Sequence, residues 1–218
     1  MCPERTQLQN FFKNFTLSAQ FKRFSSGLFK KAGGTHTETV PIVACDFEKT
    51  KVVFLEIEKS PQKVRLTKFQ KMTRNPESTD KDSDALKQCF EAGGFATTKL
   101  RISVKGQGVI VRFIQFPQMK HDDLRNAISF EVDQYIPFKT QEVVWDFCVL
   151  EENVPIASGT KGMNILLAAV KRDDLNAHIQ VFQEAGFQIE FIDIDALAAI
   201  NALEFFHPFV RRSLALNH

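Results

Sequence analysis

The spacing of apolar side chains changes character along this chain. Over residues 8–31, Leu8, Phe11, Phe12 and Phe15, then Phe21, Phe24 and Leu28, fall at three- and four-residue steps with Lys13, Lys22, Arg23 and Lys30 between them. That spacing predicts an amphipathic helix or a pair of them. Ala32-Gly33-Gly34-Thr35 breaks the pattern and reads as a linker. From Pro41 the period becomes two, which predicts strands Ile42–Phe47, Lys51–Glu58 and Lys63–Gln70 in a three-stranded meander. Thr73–Ser83 is polar and reads as a loop, and Asp84–Ala92 as a short helix stopped by Gly93-Gly94.

Beyond Gly94, strands and helices alternate. The pattern predicts strands Lys99–Val104 and Val109–Phe116, helix His121–Tyr135, strand Glu142–Leu150, a loop over Glu151–Gly162, strand Met163–Val170, helix Asp173–Ala185, strand Gln188–Ile194 and helix Ala196–Phe206. Leu124, Ile128 and Val132 form a core stripe on the first of these helices, while Leu175, Ile179 and Phe182 form one on the second. Short links between alternating elements argue for an α/β or α+β body.

Charge sharpens the picture of the first segment. Residues 1–31 carry Arg5, Lys13, Lys22, Arg23, Lys30 and Lys31 against Glu4, whereas the whole chain holds 28 basic and 26 acidic side chains for a net +2. A basic arm therefore leads a mildly acidic body. Apolar anchors with basic flanks favour an anionic interface, which makes Phe11, Phe12, Phe15, Lys22, Arg23 and Phe24 candidates for a membrane-surface or partner-docking arm. The alternative is that the same rings pack on the protein's own core. The body shows no sign of a nucleic-acid surface.

Composition excludes several classes. A 44% apolar fraction with 22 Phe, against one Trp and one Tyr, can bury enough area to offset chain entropy, so the chain is not mainly disordered. The longest purely apolar run, Ile165–Val170, falls far short of the ~20 residues that span a bilayer, and no signal-peptide core opens the sequence, so a cytoplasmic protein is expected. Cys2, Cys45, Cys89 and Cys148 stand singly, which predicts buried or free thiols rather than a disulfide framework or a metal site.

Few side chains suggest catalysis. His121 sits beside Asp122 and Asp123 at a helix start, where capping or solvation explains it, because no nucleophile accompanies it. Glu131 and Asp133 lie two apart on a helix and diverge. Gly106-Gln107-Gly108 lacks a third glycine and joins two strands, so no dinucleotide site is expected. Trp145, on a strand, reads as core. Tyr135-Ile136-Pro137-Phe138 reads either as a packed corner, since a helix ends before proline, or as a recognition knob built on Tyr135 and Phe138.

The stretch Gly108-Val-Ile-Val-Arg-Phe-Ile-Gln-Phe-Pro-Gln-Met119, followed by Leu124, Phe130-Glu131, Gln134-Tyr135-Ile136-Pro137-Phe138, Glu142-Val143-Val144 and Asp146-Phe147, resembles the type IV pilus assembly PilM family, of the FtsA-like branch of actin-fold proteins. The likeness continues through Ile165–Lys171, Glu184-Ala185-Gly186-Phe187 and Phe191-Ile-Asp-Ile-Asp-Ala196, and covers about residues 41 to 206. It implies half of an actin-like fold with an inserted strand-helix-strand-strand module. Residues 1–34 would be the arm and linker, 41–104 with 188–206 the first actin-like subdomain, 105–187 the inserted interaction module and 207–218 an unassigned tail. It also implies a cytoplasmic scaffold, peripheral at the inner membrane, whose groove between module and subdomain takes an extended N-terminal peptide of a PilN-like inner-membrane protein.

In that family the first strand turns through an Asp-x-Gly-Ser-Ser-Ser-Val-Lys hairpin whose amides and hydroxyls hold nucleotide phosphates. The corresponding residues here run Asp46-Phe47-Glu48-Lys49-Thr50-Lys51-Val52-Val53. Asp46 is kept and Thr50 supplies one hydroxyl, but the glycine is Glu48 and the final lysine Val53. The resemblance thus implies a degenerate nucleotide site at Asp46 and Thr50. The chain also stops at His218, after what corresponds to the last helix of the first half. These departures lead to the expectation of no ATPase activity, no cofactor and no metal. A natural short form and a fragment fit equally. Two other functions are kept beside the scaffold: a nucleotide-binding actin-like ATPase or switch, and an FtsA-like membrane-tethering adaptor using residues 8–31.

Overall fold

The computed structural model describes residues 41–59, 64–77, 79–156 and 159–206. The Phe-rich arm, with Phe11, Phe12, Phe15, Lys22, Arg23 and Phe24, the linker and residues 207–218 lie outside the described residues. The fold is of the mixed α/β class. Its described part divides into two compact units, one formed by Gly106–Gln180 and the other by residues 41–105 together with residues 181–206.

The second of these units is built on a five-stranded sheet. Alternation of buried and half-buried side chains produces β1 (Pro41–Phe47) and β2 (Lys51–Lys59), which pair antiparallel with Phe47 opposite Val52, and β3 (Val64–Thr73) extends the meander. Helix α1 (Asp82–Gly93) then crosses to β4 (Lys99–Val104), which runs parallel to β1. α1 starts two residues before the expected Asp84, because Asp82 and Asp84 together place negative charge in its first turn. It stops where Gly94 turns left-handed at φ 58°, a conformation glycine adopts without steric cost. β8 (Gln188–Ile194) closes the far edge parallel to β4, giving the order β3-β2-β1-β4-β8. Glu190 is bulged out of the β4 register, which lets both Ile189 and Ile192 reach the buried face. The final described helix (Asp195–Phe206) lies against β8 and β4.

One face of this sheet buries Val43, Cys45, Val52, Phe54, Leu100, Ile102 and Val104, and α1, packed on β2 and β3, adds Leu86 and Cys89. Phe54 is fully buried and its ring lies 5.4–5.8 Å from those of Phe90, Phe95 and Phe187. Each ring of that size brings about 150–250 Å² of burial, so four of them dominate this core.

The other unit is an antiparallel sheet of three strands, ordered β5 (Val109–Pro117), β7 (Lys161–Lys171) and β6 (Val143–Pro155), covered by helix α2 (His121–Tyr135). α2 ends because Ile136 must be extended before Pro137. Its stripe of Leu124, Ile128 and Val132 is fully buried against Ile114, Phe147, Ile165 and Leu167. The expected loop at Glu151–Gly162 is shorter than its polarity suggests. β6 continues to Pro155 and β7 begins at Lys161, with bulges around Leu150 and Asn153. Glu151 and Glu152 are exposed, so this end of the hairpin shows no alternation to reveal it as strand. Helix α3 (Arg172–Glu184) follows β7, and the division between the units falls inside it, after Gln180.

Candidate functional site

The parallel strands β1, β4 and β8 end at one edge of the five-stranded sheet, the place where open α/β sheets present ligand-binding side chains. There β1 delivers Asp46, the β1–β2 turn delivers Glu48, Lys51 opens β2, and Lys105 follows the last residue of β4. β8 contributes Asp193, whose carboxyl is pushed up by burial and partly held back by the Ile194 N–H, 2.8 Å away. Asp195 opens the helix after β8.

Four of these charges are tightly interlinked. Lys105 Nζ lies 2.9 Å from Asp46 Oδ1 and 2.5 Å from Glu48 Oε1, while Lys51 Nζ lies 3.0 Å from the same Glu48 oxygen and 3.5 Å from Asp46 Oδ2. Each ammonium thus meets both carboxylates. Hydrogen bonds from Lys105 and then Lys51 hold the Glu48 carboxyl below its ordinary range, and the hydrogen bond to Glu48, with the charges of Asp46 and Glu48, raises Lys51. Burial by itself would lower Lys105, but its bonds to Glu48 and Asp46 and the charges of Asp46 and Asp195 raise it.

The turn beneath them is held by backbone. Glu48 N–H donates to the Lys51 carbonyl at 2.8 Å, and Arg74 N–H donates to the Thr50 carbonyl at 2.7 Å. The Arg74 guanidinium sits 5.2 Å from the Phe47 ring centre and pairs with Asp82 at 2.5 Å. Thr50 itself is exposed at the turn.

The other candidate pair lies on the other unit. Tyr135 and Phe138 are half-buried against the aliphatic core around Ile136. The Tyr135 hydroxyl donates to Glu131 at 3.2 Å, and Lys171 Nζ stands 4.6 Å over the Phe138 ring. Burial raises the Tyr135 phenol, with the Glu131 charge adding to it. Both rings pack on this core while part of each stays exposed. Asp133 turns away from Glu131 to accept the Thr140 N–H at 2.7 Å. His121 stacks on Phe147 at 5.1 Å, and Trp145 packs on the same core with Arg125 above it.

Sequence reasoning names Asp46 and Thr50 as the hairpin's candidates and Glu48 only as a departure from the family pattern; Lys51, Lys105, Asp193 and Asp195 are not singled out by it. Lys51 lies three residues from Glu48 across a tight turn, a spacing that could have revealed it. Lys105 is 57 residues from Glu48, and only the parallel β1–β4 pairing brings them together.

Comparison with known proteins supplies the rest. The family of the type IV pilus assembly protein PilM matches residues 42–213. Among solved structures, the chain resembles one of a PilM-PilN type IV pilus biogenesis complex, with a TM-score of 0.63 and 19% identity over 77% of this chain and 51% of that one. At that identity the likeness establishes the fold. A second match is the cytoplasmic domain of EpsL, an inner membrane component of the type II secretion system of Vibrio cholerae, with a TM-score of 0.47 and 14% identity over 71% of this chain and 57% of that one. A score below 0.5 supports nothing further. The chain spans about half the length of the solved PilM chain, at 51%.

Proposed function

This chain belongs to the family of the type IV pilus assembly protein PilM, and from that premise we propose that it is a cytoplasmic scaffold at the inner membrane that captures the extended N-terminal peptide of a PilN-like partner. The observation that carries the reading is the family match across residues 42–213, which takes in both compact units. The fold shared with a chain solved as a PilM-PilN complex supports the choice of partner. Physical chemistry permits such capture without catalysis. An extended peptide needs open strand edges and apolar pockets, and among the described residues the strands β3, β8, β5 and β6 stand at the ends of their sheets, each with a neighbour on one side.

No step in this function consumes nucleotide, and the proposal includes that the chain is not an ATPase and needs no cofactor. Among the described residues no helix is long and apolar enough to cross a membrane. Contact with the membrane would come through the partner, with the basic arm at residues 8–31 as a second attachment to an anionic surface.

Isothermal titration of the full chain with a synthetic peptide from the N-terminus of a PilN-like protein tests the reading. Saturable heat at micromolar concentrations is expected, and the same peptide in scrambled order should give none. Absence of heat at high micromolar concentration would overturn the reading.

A further inference from the structure

At the β1–β2 hairpin two carboxylates and two ammonium groups lie within ion-pair distance of one another. Between β1 and β2 the chain turns through Glu48, Lys49 and Thr50, with the Glu48 N–H donated to the Lys51 carbonyl at 2.8 Å. Here Glu48 brings a carboxylate to the turn, and Lys105 and Lys51 both bind it, at 2.5 and 3.0 Å. The same two lysines bind Asp46, at 2.9 and 3.5 Å. Two ammonium groups and two carboxylates therefore neutralise one another in a closed ring. A phosphate arriving at this turn would find both cations engaged and a like charge beside it, with Asp195 adding to the negative side.

We infer that Glu48 seals the hairpin from within, its carboxylate standing in for an anion on Lys51 and Lys105 and thereby excluding phosphate groups from the turn. Glu48 is then the residue that decides between an open and a closed hairpin. Charge counting makes the consequence concrete. Without Glu48, the direct ion pairs of Lys51 and Lys105 are to Asp46 alone, so the paired groups keep two ammonium charges against one carboxylate, with Asp195 acting on Lys105 only through its charge. A glycine at the same place also removes the side chain that keeps an anion from the backbone amides of the turn. The ring has a structural side too, because it ties β1 to the end of β4 through Lys105. This inference deepens the nucleotide-independent part of the function proposed above and is separate from peptide capture.

The test uses inorganic pyrophosphate without metal at low ionic strength, followed by thermal shift and by calorimetry on the full chain. The wild-type chain should show no saturable response up to millimolar pyrophosphate. Glu48→Gly should gain a saturable one, at least tenfold tighter than any residual wild-type response, and Glu48→Gly combined with Lys105→Ala should lose it. Circular dichroism checks that each variant is folded, and Glu48→Gln offers a milder removal of charge if the glycine variant is not. Saturable wild-type binding within twofold of the variant would overturn the inference. So would a folded Glu48→Gly and Glu48→Gln that both fail to bind, or binding that survives loss of Lys105. Peptide titration on the same Glu48→Gly protein should match the wild type, so failure of the peptide reading and failure of the seal are seen in separate measurements.

Discussion

The two units of this chain reach a buried core by different routes. Among the described residues, the three-stranded unit is one continuous segment, Gly106–Gln180, whose strands pair antiparallel and whose core is mostly Ile, Leu and Val under α2. The five-stranded unit is assembled from two segments on either side of it, and its core is a cluster of phenylalanine rings. Parallel pairing is what the discontinuous unit gains. β1, β4 and β8 end together, so Asp46, Lys105 and Asp193 share one sheet edge although they are far apart in the chain. The continuous unit pairs the buried Asp146 with Arg125 at 2.9 Å, between residues 21 apart in one segment. Its other contribution is the half-buried Tyr135 and Phe138 beside the end of α2.

The sharpest way to break this comparison is to damage each core separately. Phe54→Ala should cost about 3–5 kcal/mol and Leu124→Ala about 2–5 kcal/mol, as truncations at fully buried positions do. Hydrogen exchange read by mass spectrometry should show Phe54→Ala losing protection in β1, β2 and β4, and Leu124→Ala losing it in β5, β6 and β7. Equal loss throughout both units in both variants would show that they unfold as one, and the distinction would fall.

A smaller effect belongs to the buried carboxylate of the five-stranded unit. Glu56 is 4% exposed, and it accepts the Ala96 N–H at 2.7 Å and the Thr67 hydroxyl at 3.0 Å, with Lys68 at 3.5 Å. Burial by itself would raise its carboxyl, but the Ala96 and Thr67 hydrogen bonds and Lys68 together hold it below the ordinary value. The folded state therefore resists protonation more than the unfolded one. Its contribution is full above the ordinary glutamate value of about 4.3 and is lost as pH falls through the lower folded value. Glu56→Gln should cost about 1–3 kcal/mol at neutral pH and flatten the acid limb of the urea midpoint against pH. An unchanged acid limb would remove Glu56 from the account.

Smallest of all is Phe130, which projects from α2 with 86% of its surface exposed. Phe130→Ser should move the thermal midpoint by no more than the equivalent of about 0.5 kcal/mol. A larger loss would mean that the continuous unit packs its helix on both faces.

Much of this architecture is legible in the pattern of residues alone. α2, β4 and β8 have the bounds that the pattern predicts, because a stripe such as Leu124, Ile128 and Val132 leaves one solution and Pro137 ends it. The extension of β6 through Glu151 and Glu152 is hidden, since exposed strand ends carry no alternation. At the hairpin, the replacement of glycine by Glu48 is visible, but its effect is not. A carboxylate at a turn looks repulsive until the two lysines that hold it are known, and one of them arrives through a sheet pairing that no local spacing encodes. The Tyr135–Phe138 corner is ambiguous for a related reason. Apolar side chains beside a helix stop look the same in sequence whether they pack inward or outward.

The uneven use of aromatic residues has a practical side. The chain holds one Trp and one Tyr, and both Trp145 and Tyr135 belong to the continuous unit, whereas the other core is lined by Phe. Tryptophan emission therefore follows the unfolding of one unit and is blind to the other, while far-UV ellipticity sums both. Recording the two signals in a single denaturation gives an internal measure of how independently the units melt, with no label added, and any gap between the curves reads directly as a loss of two-state behaviour.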